Sequence, residues 1–383
     1  MKTLLIVLCA AVCVCGQALA PQTIANPSAP GSLQPNWSVT PEGRPLLSWI
    51  EPLKGGGYAL RYAINGANGW SEAHTVASNR RFFRQPAEVP EVMAMSGGMW
   101  MAHWVEMPSD ESEAEFVYLS TSPDGVKWTP PVMVNKDKSQ VEHGLVSMVA
   151  SGNGEASLLW LETPKGEDGP AYLMRSVVNA SGKVLNEERL DPDVCQCCPT
   201  AVARTAKGLL VAYRGHTPQD IRDINVIRFE NGKWTQPKNV HADGWHLNAC
   251  PTNAAAVAAR GDKVALAWFT GAQDNPRVYV IFSADGGATF GNPVVASSGH
   301  AFGYTSVALG EDGTAIVSWL QQGDGGTTQV LARTVPSTGA AGPVLKVAEG
   351  GRMALGYPRV FHEGAESWIA WGGTNIQTAR LKK

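Results

Sequence analysis

Short apolar strands ending in an aromatic recur along the chain: "PLLSWIE", "MWMAHWVE", "ASLLWLE", "LLVAYRG", "VALAWFT", "AIVSWLQ" and "SWIAWGG". The closing aromatics are Trp49, Trp104, Trp160, Tyr213, Trp268, Trp319 and Trp371, each fifty to sixty residues from the next. Another short strand precedes the marker ("PEVMAM", "LVSMVA", "PTAVAR", "TNAAAVAA", "TSVALG", "YPRVFH"). An alternating strand follows it ("AEFVYLST", "INVIRFE", "RVYVIFS"), and then a turn and a fourth strand ("PVMVN", "PKNVH", "PVVAS"). Apolar runs this short, joined by Gly and Asp turns and lacking a helical period, read as strands. Four strands per unit and seven units predict an all-β propeller. Six blades is the alternative, if the weak first and last units merge. The last unit, "NIQTARLKK", lacks a fourth strand, and "PQTIANPSAP" near the start resembles the fourth strands "EAHTVASN" and "NPVVASSG". Pairing it onto the last blade closes the ring and removes the open edge.

Ahead of the first unit, Lys2, the apolar run "LLIVLCAAVCVC" and the small residues of "GQALA" have the order of a secretory signal peptide. Residues 1–20 are therefore expected to be a leader cleaved near Ala18 or Ala20, with residues 21–383 forming one propeller domain. The apolar run is too short to cross a membrane as a helix, and the contexts of Cys13 and Cys15 are poor for lipid anchoring. The expected location is periplasmic or secreted. A net charge of −3 with 44% hydrophobic and 17% charged residues allows a large core and gives no electrostatic footprint for nucleic acid. A monomer whose partner is a metal ion, a small molecule or a glycan is the expectation.

Two hairpin sequences carry a recurrent box. "SADGGATF" supplies Ser283, Asp285, Gly287 and Phe290, and "SPDGVKW" supplies Ser122, Asp124 and Trp128, one residue short. The Asp caps the turn backbone and the aromatic packs beneath, so the box is structural. It fits the S-x-D-x-G-x-T-W/F Asp-box of sialidases and other BNR-repeat proteins. "DVCQCCPT", "YRGHTPQDIRDI", "DGWHLNACPTN" and "VALAWFTG" further resemble a group of exported bacterial proteins labelled exo-sialidase-like, over about residues 191 to 320. The resemblance implies a sialidase-like propeller, and for a hydrolase an arginine triad on the substrate carboxylate, a Tyr nucleophile and an Asp acid/base. The candidates here are Arg214, Arg222 and Arg352, Tyr304, and Asp220 or Asp223. The family's F/Y-R-I-P motif has no counterpart, since neither Arg44 in "EGRPLL" nor Arg81 and Arg84 in "RRFFRQP" keeps it.

"DVCQCCPTAVA" places Cys195, Cys197 and Cys198 within four positions, and the echo "NACPTNAAAVA" adds Cys250. Aligning the units puts Cys198-Pro199 and Cys250-Pro251 at the entrances of the inner strands of blades four and five, side by side near the axis. Three uses compete. One is disulfides, with Cys197 or Cys198 joined to Cys250. The second is a metal site of Cys195, Cys197, Cys198 and Cys250 aided by His246 or His143, suiting Cu(I), or zinc if four ligands close around it. The third is redox chemistry by a labile pair. The expectation is a non-hydrolytic metal or small-ligand protein with copper as the favoured ion. An exo-acting glycoside hydrolase is the runner-up and an interaction scaffold the third class. Glu51, Glu106 and Glu162 of the repeated W-x-E are expected as a solvated ring of loop starts.

Overall fold

The computed structural model describes residues 20–166 and 169–382, so most of the expected leader lies outside the described residues. Seven antiparallel sheets, each of four or five strands, follow one another along the chain. Seven blades are present, not six. The seventh is completed by Ala20–Ile24, which pairs antiparallel with the last strand from Ala20 opposite Lys382 to Ile24 opposite Thr378. The ring thus closes with Ala20–Ile24 hydrogen-bonded to the last strand, Gln377–Lys382.

The second strand of each blade holds its marker aromatic, and all seven markers are at most 3% exposed. These strands read as unbroken apolar runs because neighbouring blades cover both faces; Leu46, Leu47, Trp49 and Ile50 are all buried on one strand. Outermost strands are often very short, such as Val132–Met133, Lys238–Asn239 and Val294–Val295, which blunts exposed edges. The two boxes sit in third-to-fourth-strand turns. Asp124 accepts the backbone N–H groups of Val126 and Lys127 at 2.8 Å, and Asp285 accepts that of Thr289 at 2.9 Å. Trp128 Nε1 donates to the Gly125 carbonyl.

The W-x-E glutamates correct the expectation of a solvated ring: Glu51, Glu106 and Glu162 are 7–8% exposed. Glu51 accepts the indole N–H of Trp49 at 2.9 Å, Glu106 that of Trp104 at 2.5 Å, and Gln321 plays the same part for Trp319 at 3.1 Å. A buried indole N–H needs an acceptor, and the residue two positions on supplies it. Blade three departs from this rule, for Trp160 Nε1 has no hydrogen-bond partner.

Inner strands surround the axis. A cavity of about 250 Å³ runs between them, lined among others by Asn36, Glu91, Ser147, Thr200, Ala256, Ser306 and Arg359, with at least one residue from every blade. At the entrance of the inner strand, blades one, three and six carry an irregular register. Gln34, Leu145 and Tyr304 lie there with φ of 56°, 60° and 55°, joined by Thr252 at 47°. Left-handed conformations in residues other than glycine cost free energy and collect where a side chain must be re-aimed. The strained end of the channel is the pole that bears the cysteines.

Candidate functional site

Cys195, Cys197 and Cys198 lie in the loop that enters the inner strand of blade four, Ala201–Thr205, and Cys250 lies in the loop entering Ala255–Arg260 of blade five. Cys197 and Cys250 form a disulfide with Cα atoms 6.0 Å apart, stitching the two blades. Cys195 and Cys198 are free thiols, each 1% exposed. With Cys197 drawn off to Cys250, the remaining pair has C-x-x-C spacing. Its sulfurs stand 2.8 Å apart, with Cys197 Sγ 3.9 Å from Cys195 Sγ.

Arg214, on the second strand of blade four, is 1% exposed beside this pair. Its Nε donates to the Asn253 carbonyl at 2.9 Å, Nη1 to that of Arg222 at 2.5 Å and Nη2 to that of Phe269 at 2.8 Å, and the guanidinium lies over the Trp245 ring. The Cys195 N–H donates to the Arg214 carbonyl at 3.0 Å. The hydrogen bond shared with Cys198 and the charge of Arg214 pull the Cys195 thiol below its usual range. Burial pushes that of Cys198 well up. The environment thus drives the two thiols apart in acidity, with Cys195 the readier to ionise.

The other sequence candidates fall into separate groups. His143 is fully buried but stands with Asp137 and Glu162, not among the sulfurs, and His246 is exposed in an isolated bridge to Ile221. Asp223 accepts the N–H groups of Gly244 and Trp245 at 2.9 and 3.0 Å, so it fixes a loop instead of facing a substrate. Arg214, expected in a carboxylate clamp, likewise spends its donors on backbone. Arg222 donates to the Leu247 carbonyl and lies 3.6 Å from Asp220, whose carboxylate also meets His216. Arg352 is exposed, donates to Tyr304 Oη and lies over the Phe302 and Tyr304 rings. Tyr304 packs edge-on against Tyr357 at the channel mouth, with ring centroids 4.2 Å apart.

Sequence reasoning passed over Glu88 in "AEVPEV". It is 1% exposed and accepts the N–H groups of Leu145 and Val146 at the strained entrance of blade three. Burial, only partly offset by those bonds and by Arg359, pushes its carboxyl up to about 8; burial and the charge of Glu88 push Glu115 up to about 9. Groups raised in the folded state hold protons that the unfolded chain releases. Their contribution is complete below the ordinary carboxylate range and is lost as pH rises through about 8 to 9. His103, pushed down to about 3 by burial, acts oppositely, losing its contribution as pH falls from its usual 6.5 toward 3. Between the ordinary carboxylate range and pH 6.5 two raised carboxyls outweigh one lowered imidazole, so the urea midpoint is expected to be highest near pH 5 and to fall steadily to pH 9. Glu88→Gln keeps the acceptor for Leu145 and should flatten the alkaline limb; an unchanged slope in urea titrations at pH 7 and 9 would remove Glu88 as its source.

No family model matches the chain, and no curated protein matches it. Among solved structures it is similar to the BP39L lectin from Burkholderia pseudomallei, with a TM-score of 0.65 and 11% identity over 92% of this chain and 97% of that one. An α-L-arabinanase from Penicillium chrysogenum complexed with arabinobiose gives 0.50 and 12% over 95% and 98%. The NanB sialidase from Streptococcus pneumoniae gives 0.49 and 11% over 95% and 71%. At these identities the likeness is one of fold alone.

Proposed function

We propose that the axial pole binds a single Cu(I) ion through Cys195 and Cys198. The observation that carries this reading is the pairing of a buried dithiol with Arg214, a buried cation for which no acidic side chain appears as a partner among the described residues. Two thiolates around a monovalent ion carry one net negative charge, and the guanidinium beside them supplies the opposite one. Soft thiolates select a soft ion, and a buried charge is tolerated where it is balanced. Zinc fits less well, since a closed zinc site takes four ligands. Here Cys197 and Cys250 are bonded to each other, His246 is exposed, and His143 stands elsewhere. The hydrolase reading has lost two candidates, Arg214 and Asp223, to backbone hydrogen bonds.

Elemental analysis after copper-replete expression tests the proposal. Near one copper per chain is expected in the parent and in Cys197→Ser/Cys250→Ser, and none in a folded Cys195→Ser/Cys198→Ser variant. A parent that never carries copper, or copper retained without Cys195 and Cys198, would overturn it. Turnover of a fluorogenic sialoside by the copper-free protein would return the hydrolase to first place.

A further inference from the structure

A second group of ligating side chains lies on the third blade, away from the dithiol. His143 opens the inner strand His143–Gly152, Glu162 closes the second strand Glu155–Glu162, and Asp137 comes from the loop arriving from blade two. One atom from each falls within 4.8 Å of the other two. His143 is 0% exposed. Its Nδ1 lies 2.8 Å from the Glu115 carbonyl and 3.1 Å from that of Val141. Carbonyls only accept, so Nδ1 carries the proton and the neutral ring presents a bare lone pair at Nε2.

Nε2 makes no hydrogen bond, and Glu162 Oε2 stands 3.6 Å away. A lone pair facing a carboxylate is an unfavourable contact unless a proton or a metal ion lies between them. The repeat supplies an independent observation. In blades one, two and six the acid or amide two residues after the marker Trp accepts its indole N–H. In blade three Glu162 faces His143 instead, leaving Trp160 Nε1 without an acceptor. One carboxylate has given up its bond in the repeat to face an unpartnered imidazole.

We infer that Asp137, His143 and Glu162 form a binding site for a divalent transition ion of the zinc type, separate from the sulfur site. An ion with bonds of about 2.1 Å in tetrahedral array has ligand edges of about 3.4 Å, close to the 3.6 Å between Nε2 and Oε2. The Nδ1–H bond to a backbone carbonyl is the support that fixes a ligating histidine in its tautomer. Ser139 holds Asp137 in the same way, with its N–H and hydroxyl both donating to the carboxylate at 2.8 Å. Imidazole together with two carboxylates favours zinc over calcium or magnesium, which take oxygen ligands. Three protein ligands leave a fourth position for water.

Titration of the full mature chain with Co(II), a spectroscopic stand-in for zinc, separates this site from the dithiol. One equivalent is expected to give d–d bands without thiolate charge transfer, and to do so equally in Cys195→Ser/Cys198→Ser. Asp137→Asn, on a half-buried loop, should weaken that binding at least about 10-fold, as should Glu162→Gln. The Gln variant is expected to fold, because Gln321 already serves the same indole contact in blade six. His143→Gln should abolish the bands, with circular dichroism reporting the fold. Binding unchanged by Asp137→Asn and Glu162→Gln would overturn the site. So would Co(II) seen only through charge-transfer bands that vanish with the cysteines, or no Co(II) bound at all.

Discussion

Replacing Cys197 and Cys250 together by serine is expected to lower the stability of the oxidised protein by about 4 kcal/mol at 25 °C. The disulfide closes a loop of 53 residues, and the chain-entropy relation for a loop of that length gives about this value. The native side adds little to offset it, since Cys250 is exposed and Cys197 half-buried, so serine fits both positions without leaving a cavity. Equilibrium urea unfolding of parent and double variant measures the difference, and dithiothreitol added to the parent should reproduce most of it. A change below about 1 kcal/mol would mean that the loops at this pole are held by their other bonds. The double variant is preferable to either single one, because a lone Cys250 would leave a thiol next to Cys195 and Cys198. Copper binding should survive, which separates bracing from ligation at the same pole.

The propeller was legible because its signal is periodic. A strand buried on both faces must be apolar throughout, and the aromatic ending it recurs at every blade, so Trp49 through Trp371 stand out without knowledge of any contact. Closure by the first strand was legible for the same reason: a unit with a missing strand has an open edge, and one spare strand was available. The pole was also legible, since Cys198-Pro199 and Cys250-Pro251 repeat at the same point of successive units. Which sulfur pairs with which was not. Cys197 and Cys198 differ by one position, and only the direction in which each side chain leaves the loop decides that Cys197 reaches Cys250. Polar partnerships were less legible still. Arg214 is a buried clamp because carbonyls of Asn253 and Phe269, 39 and 55 residues on, converge upon it, and no local spacing records that. The blade position of His143 matches that of the sulfurs and so suggests a shared site, whereas the ring itself sets how far adjacent blade entrances stand apart. The diversion of Glu162 becomes visible only when one blade is compared with the others.

Arg214→Met is expected to lower stability by about 3 to 5 kcal/mol, on the scale of breaking a buried charged interaction. Methionine fills much of the volume of the arginine stem, so the loss is one of polar pairing more than of packing. The Arg222 carbonyl belongs to blade four, whereas Asn253 and Phe269 belong to blade five, so three acceptors are orphaned across one interblade seam. Lysine should recover only part of the loss. A single ammonium on a flexible stem cannot present the planar fork that reaches three carbonyls while stacking on Trp245. Urea unfolding of the parent, Arg214→Met and Arg214→Lys in metal-free buffer measures this ordering. If methionine costs less than about 1 kcal/mol, the guanidinium is not what holds the seam. Copper affinity supplies the second readout. The charge that Arg214 places beside the thiolates is largely restored by lysine and absent with methionine. A folded Lys variant should therefore hold Cu(I) more tightly than a folded Met variant, even though both have weakened the seam.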